Sequence, residues 1–69
     1  MTVQEKMAKL ADALDWDISG VSEETSLGEL QWDSMAMLTV IAIARMNGKV
    51  IKGAEVRAMQ TVGDVVAAI

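Results

Sequence analysis

The sequence predicts an all-α fold, a four-helix bundle with a long loop between helices 1 and 2 and a short third helix. Three observations predict it. Apolar residues recur at helical spacing in separate segments. Two segments open with Thr followed three residues later by an acid, a helix-start signature. No stretch has the polar–apolar alternation of a half-buried strand. With no repeats and no Gly/Ser-rich linker, residues 1–69 form one domain.

Thr2-Val3-Gln4-Glu5 opens the first helix, because a Thr and a Glu at this spacing each accept one of the orphan amides of a helix start. Val3, Met7, Leu10 and Leu14 then follow at steps of four, three and four, one apolar stripe, so the helix is expected to reach about Leu14. From Asp15 to Asp33 the period fails, and Gly20, Gly28 and a Ser/Thr/Glu cluster read as loop. A run of this length in a small domain needs its own anchors. Ile18, Val21, Leu27 and Leu30 are the expected pins, with Trp16 and Trp32 as larger ones. The second helix runs from Ser34 to Met46 and stops at Asn47-Gly48, a pair suited to left-handed backbone. A short third helix is expected over 54–59, after Gly53. The fourth opens at Thr61-Val62-Gly63-Asp64, with Val62, Val65, Val66 and Ile69 as its apolar stripe.

Composition narrows the function. A chain of 69 residues buries only about 60% of its unfolded surface and supports one modest core. Cysteine and histidine are both absent, which removes the usual zinc ligands, the commonest general base and the thiol nucleophile. Nor is there a phosphate-binding glycine loop. The chain is therefore not expected to be an enzyme, to hold a metal or to have catalytic residues of its own. The missing cysteines and the lack of a secretory signal favour the cytoplasm. The longest apolar stretch, Met35 to Ala44, is about half the roughly 20 residues a membrane span needs. Acids are concentrated early. Residues 1–33 hold Glu5, Asp12, Asp15, Asp17, Glu23, Glu24, Glu29 and Asp33 against Lys6 and Lys9. Residues 34–69 hold Glu55 and Asp64 against Arg45, Lys49, Lys52 and Arg57. With a net charge of −4 the chain repels phosphate backbones, so no nucleic-acid partner is expected.

The second helix is too apolar for its size. After Ser34 its only strongly polar side chains are Thr39 and Arg45. At 100° per residue Met37, Val40, Ile41 and Ala44 gather on one side; Met35, Leu38, Ala42 and Met46 gather on the other, beside Thr39 and Arg45. So short a chain cannot cover both, and one side is expected to meet solvent or a partner. Methionine suits a face that adapts to several partners. A central helix buried on both sides, or a self-associating dimer, would also account for the pattern.

Asp33-Ser34-Met35 stands where the long loop meets this helix. Alone, Asp or Ser before an apolar run is a helix cap. Together with the preceding helix, the loop, the apolar helix beginning at the serine and the Thr61-Val62-Gly63-Asp64-Val65-Val66 opening of the last helix, it resembles the acyl carrier protein family from about Val3 to Ile69. In that family the serine of an Asp-Ser-Leu motif receives a 4′-phosphopantetheine arm from coenzyme A. Here Leu30-Gln31-Trp32-Asp33-Ser34-Met35 stands in that place, with Met35 for leucine, a volume-conserving change. The resemblance implies that Ser34 is the attachment point and that Asp33 presents it or meets the transferase, beside its plain role as a cap. It implies acyl groups carried as thioesters, and a phosphopantetheinyl transferase with acyl-loading and acyl-processing enzymes as partners.

The sequence also departs from the family. Positions two, five and eleven after the serine are Ala36, Thr39 and Arg45, where carriers of the housekeeping fatty-acid system usually present acids. Trp32 is bulkier than the small residue often found there, and either contacts a partner or packs on the bundle. The implied protein is a specialised, monomeric carrier for a dedicated lipid or secondary-metabolite pathway. Its partners dock on Trp32, Met35, Leu38, Thr39, Ala42, Arg45 and Met46, mainly through apolar contacts. A peptidyl or D-alanyl carrier uses the same arm, and an unmodified helical interaction module or homodimer uses the same apolar face.

Overall fold

The computed structural model describes residues 2–69, with every side chain in that range except that of Ile18. Thr2 Oγ1 accepts the Glu5 amide at 3.2 Å and donates to the Glu5 carboxylate at 3.1 Å. From this cap α1 runs Val3–Leu14 and buries Met7, Leu10 and Ala11. It ends on Asp15, whose φ of 62° is left-handed and whose amide, like that of Trp16, returns to the Ala11 carbonyl.

The 15–33 segment is pinned rather than structureless. It contains 3₁₀ turns at Ile18–Gly20 and Leu27–Glu29. Three backbone bonds tie its second half to residues 60–63: Leu27 N–H to Gln60 O at 2.8 Å, Val62 N–H to Thr25 O at 3.0 Å and Gly63 N–H to Glu23 O at 2.8 Å. An isolated antiparallel bridge pairs Ser26 with Thr61, and the described residues contain no strand. A Cβ at position 63 would lie 3.0 Å from the Glu23 carbonyl oxygen, so a glycine there lets the two backbones meet. Of the expected pins, Trp16 and Leu27 are buried and Val21, Leu30 and Trp32 half-buried; the one expected at Ile18 lies outside the described side chains.

α2 spans Ser34–Met46. Gly48, at φ 78°, donates to Arg45 O at 3.0 Å and Lys49 to Ala44 O at 2.8 Å, the paired bonds of a glycine-terminated helix end. α3 spans Gly53–Ala58, one residue earlier at each end than the spacing suggests. The cause is local: the Glu55 carboxylate accepts the Lys52 amide at 3.4 Å, which makes Lys52 the cap and starts the helix at the glycine. α4 spans Val62–Ala68 behind a reciprocal cap, Thr61 Oγ1 accepting the Asp64 amide and Asp64 Oδ2 accepting the Thr61 amide.

α2 packs on both α1 and α3, and α1 also packs on α4, an arrangement compatible with a helical bundle. Leu10, Leu27, Val40, Val56, Val62, Val65 and Ile69 are the largest fully buried side chains, and no polar or charged residue among those described is buried. The Cα radius of gyration, 10.6 Å, is close to the roughly 11 Å expected for this length. Among the described residues no helix is long and apolar enough to cross a membrane.

Candidate functional site: the start and outer face of α2

The register of α2 decides what its first residue does. Ala36, Val40 and Ala44, at i, i+4 and i+8, form the buried line, with Met37, Ile41 and Ile43 half-buried beside it. Relative to the inward set expected from the sequence, the centre moves toward Ala36, and Met37 and Ile41 sit at its edge. The opposite side faces solvent: Met35 is 71%, Leu38 61% and Met46 79% exposed, and Ala42 and Arg45 lie exposed with them. Thr39 differs from these. It is half-buried, and its Oγ1 donates to the Met35 carbonyl at 2.9 Å, a local back-bond rather than an outward-pointing donor.

Asp33 caps this helix. Its Oδ1 accepts the Ala36 amide at 2.9 Å and its carbonyl accepts the Met37 amide at 3.0 Å. Ser34, the first helical residue, is exposed, and none of the side-chain hydrogen bonds among the described residues uses its hydroxyl. The Asp-Ser order thus divides the work. The carboxylate satisfies the helix start, and the alcohol is left free at its mouth.

Two grooves flank that mouth. Between α2 and α3, Ser34, Met37, Leu38, Ile41, Gly53 and Arg57 line a groove of about 310 Å³. Its walls are apolar except for the Ser34 hydroxyl and the Arg57 guanidinium. On the other side, between the end of α1 and the start of α2, Asp15 and Asp33 line a second groove of about 310 Å³ with Gln31, Met35 and Thr39. Trp32 is half-buried and packs on Trp16, ring centroids 6.4 Å apart and planes tilted by 44°. Both indole N–H groups are buried without an acceptor among the described residues. Two carboxylates titrate below their ordinary value, both away from Ser34. Asp17 is lowered by the Ser19 hydroxyl and amide, Asp64 by the Gln60 and Thr61 amides.

Comparison with protein-family models, with curated proteins and with solved structures finds no match to this chain. The functional reading therefore rests on the motifs and on this geometry.

The structure brings Ser34, Asp33, Met35, Leu38, Ala42, Arg45 and Met46 to one end and one face of α2. It sets Trp32 and Thr39 partly into the body of the protein. Gly53 and Arg57 join the Ser34 groove without having been marked by any sequence signal. They lie on another helix, and which helix closes over Ser34 is a tertiary matter that spacing within α2 does not encode. Chemically, Ser34 offers an accessible alcohol without a base: the one adjacent carboxylate is occupied by the Ala36 amide. Such a hydroxyl is a weak nucleophile and needs an external base.

Proposed function

We propose that this chain is a specialised carrier protein of the acyl carrier type, with a 4′-phosphopantetheine arm attached to Ser34. The observation that carries the reading is the exposed Ser34 hydroxyl, left unpaired at the start of α2 because Asp33 does the capping. The groove beside it is long in apolar surface, as an arm bearing a hydrocarbon cargo requires, and Arg57 at its edge offers a cation to the anionic link.

In this reading a separate transferase supplies the base and orients coenzyme A. Ser34 Oγ forms a new bond to phosphorus while the phosphoanhydride bond of coenzyme A breaks. The hydroxyl proton passes to the transferase's base, and the adenosine bisphosphate departs with the bonding electrons. Asp33 holds the helix start so that Oγ projects, and its charge complements the helix N-terminus. When bound, the arm supplies a terminal thiol that holds acyl groups as thioesters. Met37, Leu38 and Ile41 shelter the apolar part of such cargo. The exposed Met35, Leu38, Ala42 and Met46 meet the loading and processing enzymes by apolar contact, with Arg45 at the rim. The four helices serve as a bundle that presents this one end, and the coenzyme A supply places the work in the cytoplasm. The apolar groove favours an acyl cargo over an aminoacyl one.

The test is direct. The protein is incubated with coenzyme A, magnesium and a broad-specificity phosphopantetheinyl transferase, and its intact mass is measured. The reading expects the gain of one phosphopantetheine, absent in Ser34→Ala. An unchanged mass in folded protein overturns it and leaves an unmodified interaction module.

A further inference from the structure

The outer face of α2 carries more than an apolar strip; it carries a signed border on each side. Met35, Leu38, Ala42 and Met46 recur at steps of three, four and four, the spacing of a helix–helix seam. α1 borders this strip on one side. Asp15 lines the groove level with Met35, and Asp12, with Lys9, lines a groove level with Met46. The other border holds cations. Arg57 lines the α3-side groove level with Ser34 and Leu38. At 100° per residue Arg45 falls 20° from Ser34, on that same side and toward the far end. Asp12, Asp15, Arg45 and Arg57 are all exposed, and no side-chain hydrogen bond among the described residues uses any of them.

A strip with Asp15 at one edge of its Ser34 end and Arg57 at the other complements itself there under only one kind of two-fold axis. An axis running along α2 exchanges left and right. It sets each Asp15 opposite the partner copy's cationic edge at the Arg57 level; at the Arg45 level the facing groove holds Lys9 beside Asp12, so the charge match is carried by the Asp15–Arg57 end. An axis across α2 keeps left and right, so acid meets acid and cation meets cation. We propose that this face of α2 mediates a weak, parallel two-fold dimer of the chain. The seam brings Met35, Leu38, Ala42 and Met46 against their own copies, and the small Ala42 lets the two backbones approach. A uniform anionic lipid surface suits the face less well, because the Asp12–Asp15 edge opposes it. With three large side chains and one alanine per copy, the strip is far smaller than the roughly 800 Å² per partner of a stable interface, so dissociation constants of about 10⁻⁴ M are expected. The proposal goes beyond the carrier reading and does not need Ser34 to be modified.

Sedimentation equilibrium over about 10 µM to 1 mM tests it, at protein concentrations that bracket the expected constant. The intact chain should shift from monomer to dimer, and Leu38→Glu and Arg57→Glu should each weaken association about tenfold or more, while Ala67→Glu on α4 should leave it unchanged. Orientation is read by oxidative cross-linking, since the chain has no cysteine of its own. Met35→Cys and Met46→Cys should each cross-link with themselves in a parallel pair. A monomer up to about 1 mM overturns the proposal, whether or not the strip then binds phosphatidylglycerol vesicles. So does cross-linking that appears only when the two cysteine variants are mixed, the antiparallel pattern. None of these results depends on coenzyme A, so the dimer and the carrier reading stand or fall separately.

Discussion

Asp33 Oδ1 accepts the Ala36 amide across 2.9 Å, and that single bond separates the residue that caps α2 from the residue left exposed at its first turn. Asp33→Ala should cost about 1 kcal/mol of stability by denaturant titration, while Asp33→Asn, which still accepts the amide, should cost much less. If the carboxylate also meets the transferase, Asp33→Asn should fold normally and gain its arm more slowly than the parent. Equal modification rates in parent and Asn variant would confine Asp33 to capping.

Met35 and Leu38 are exposed, whereas Val40 on the same helix is fully buried. Met35→Glu and Leu38→Glu should therefore change stability by no more than about 0.5 kcal/mol and leave helical circular dichroism intact. Val40→Ala should cost on the order of 2 kcal/mol through lost burial and a residual cavity. In turnover assays with loading enzymes the two surface variants should be slow although folded. A loss of helicity in either would place the residue in the core.

Asp15 ends α1 in left-handed backbone, with a negative charge at the negative end of the helix. Asp15→Gly removes the steric cost of that geometry, about 1 kcal/mol, and the charge as well. Asp15→Asn removes the charge alone and should gain about 0.3–1 kcal/mol. For a domain this small, each kcal/mol appears as a rise in Tm of about 4–8 °C. A fall in Tm for both variants would mean that the Asp15 carboxylate makes a compensating contact.

The Asp64 carboxyl is held below the usual carboxylate range because the Gln60 and then the Thr61 amide donate to it. A carboxyl whose folded-state value is depressed contributes stability above its unfolded value and loses it as pH falls through the folded one. Asp64→Asn should thus be less stable than the parent at neutral pH by an amount that stays constant down to about pH 5 and shrinks below it. Parallel unfolding curves at all pH values would show that the charge at position 64 contributes nothing.

Much of this molecule is readable in its sequence where the decisive interactions are local. Thr2 with Glu5, Thr61 with Asp64 and the Asn47-Gly48 stop are bonds within a few residues, and the helices they delimit fall where the spacing puts them. The exposed Met35, Leu38 and Met46 fall together on one of the two sides that the spacing separates, although spacing alone left open a helix buried on both. Less legible were the features made by distant partners. Ala36 heads the buried line of α2, yet alanine contributes too little apolar area to stand out in a hydrophobic pattern. The pinning of residues 23–27 to residues 60–63 joins backbone groups, which carry no side-chain signature except the glycine at 63. The start of α3 turned on one Glu55 carboxylate reaching back to Lys52, and the Ser34 groove on which helix lay alongside.

The contact between Trp16 and Trp32 has a practical corollary. The chain has no tyrosine and no phenylalanine, so its near-ultraviolet absorption and its emission come from these two indoles alone. One of them sits two residues before the serine and rests against the other at 6.4 Å. The protein is thus fitted with its own fluorophore at the place of interest, and whatever displaces residue 32 can be followed by light, in real time, without a label.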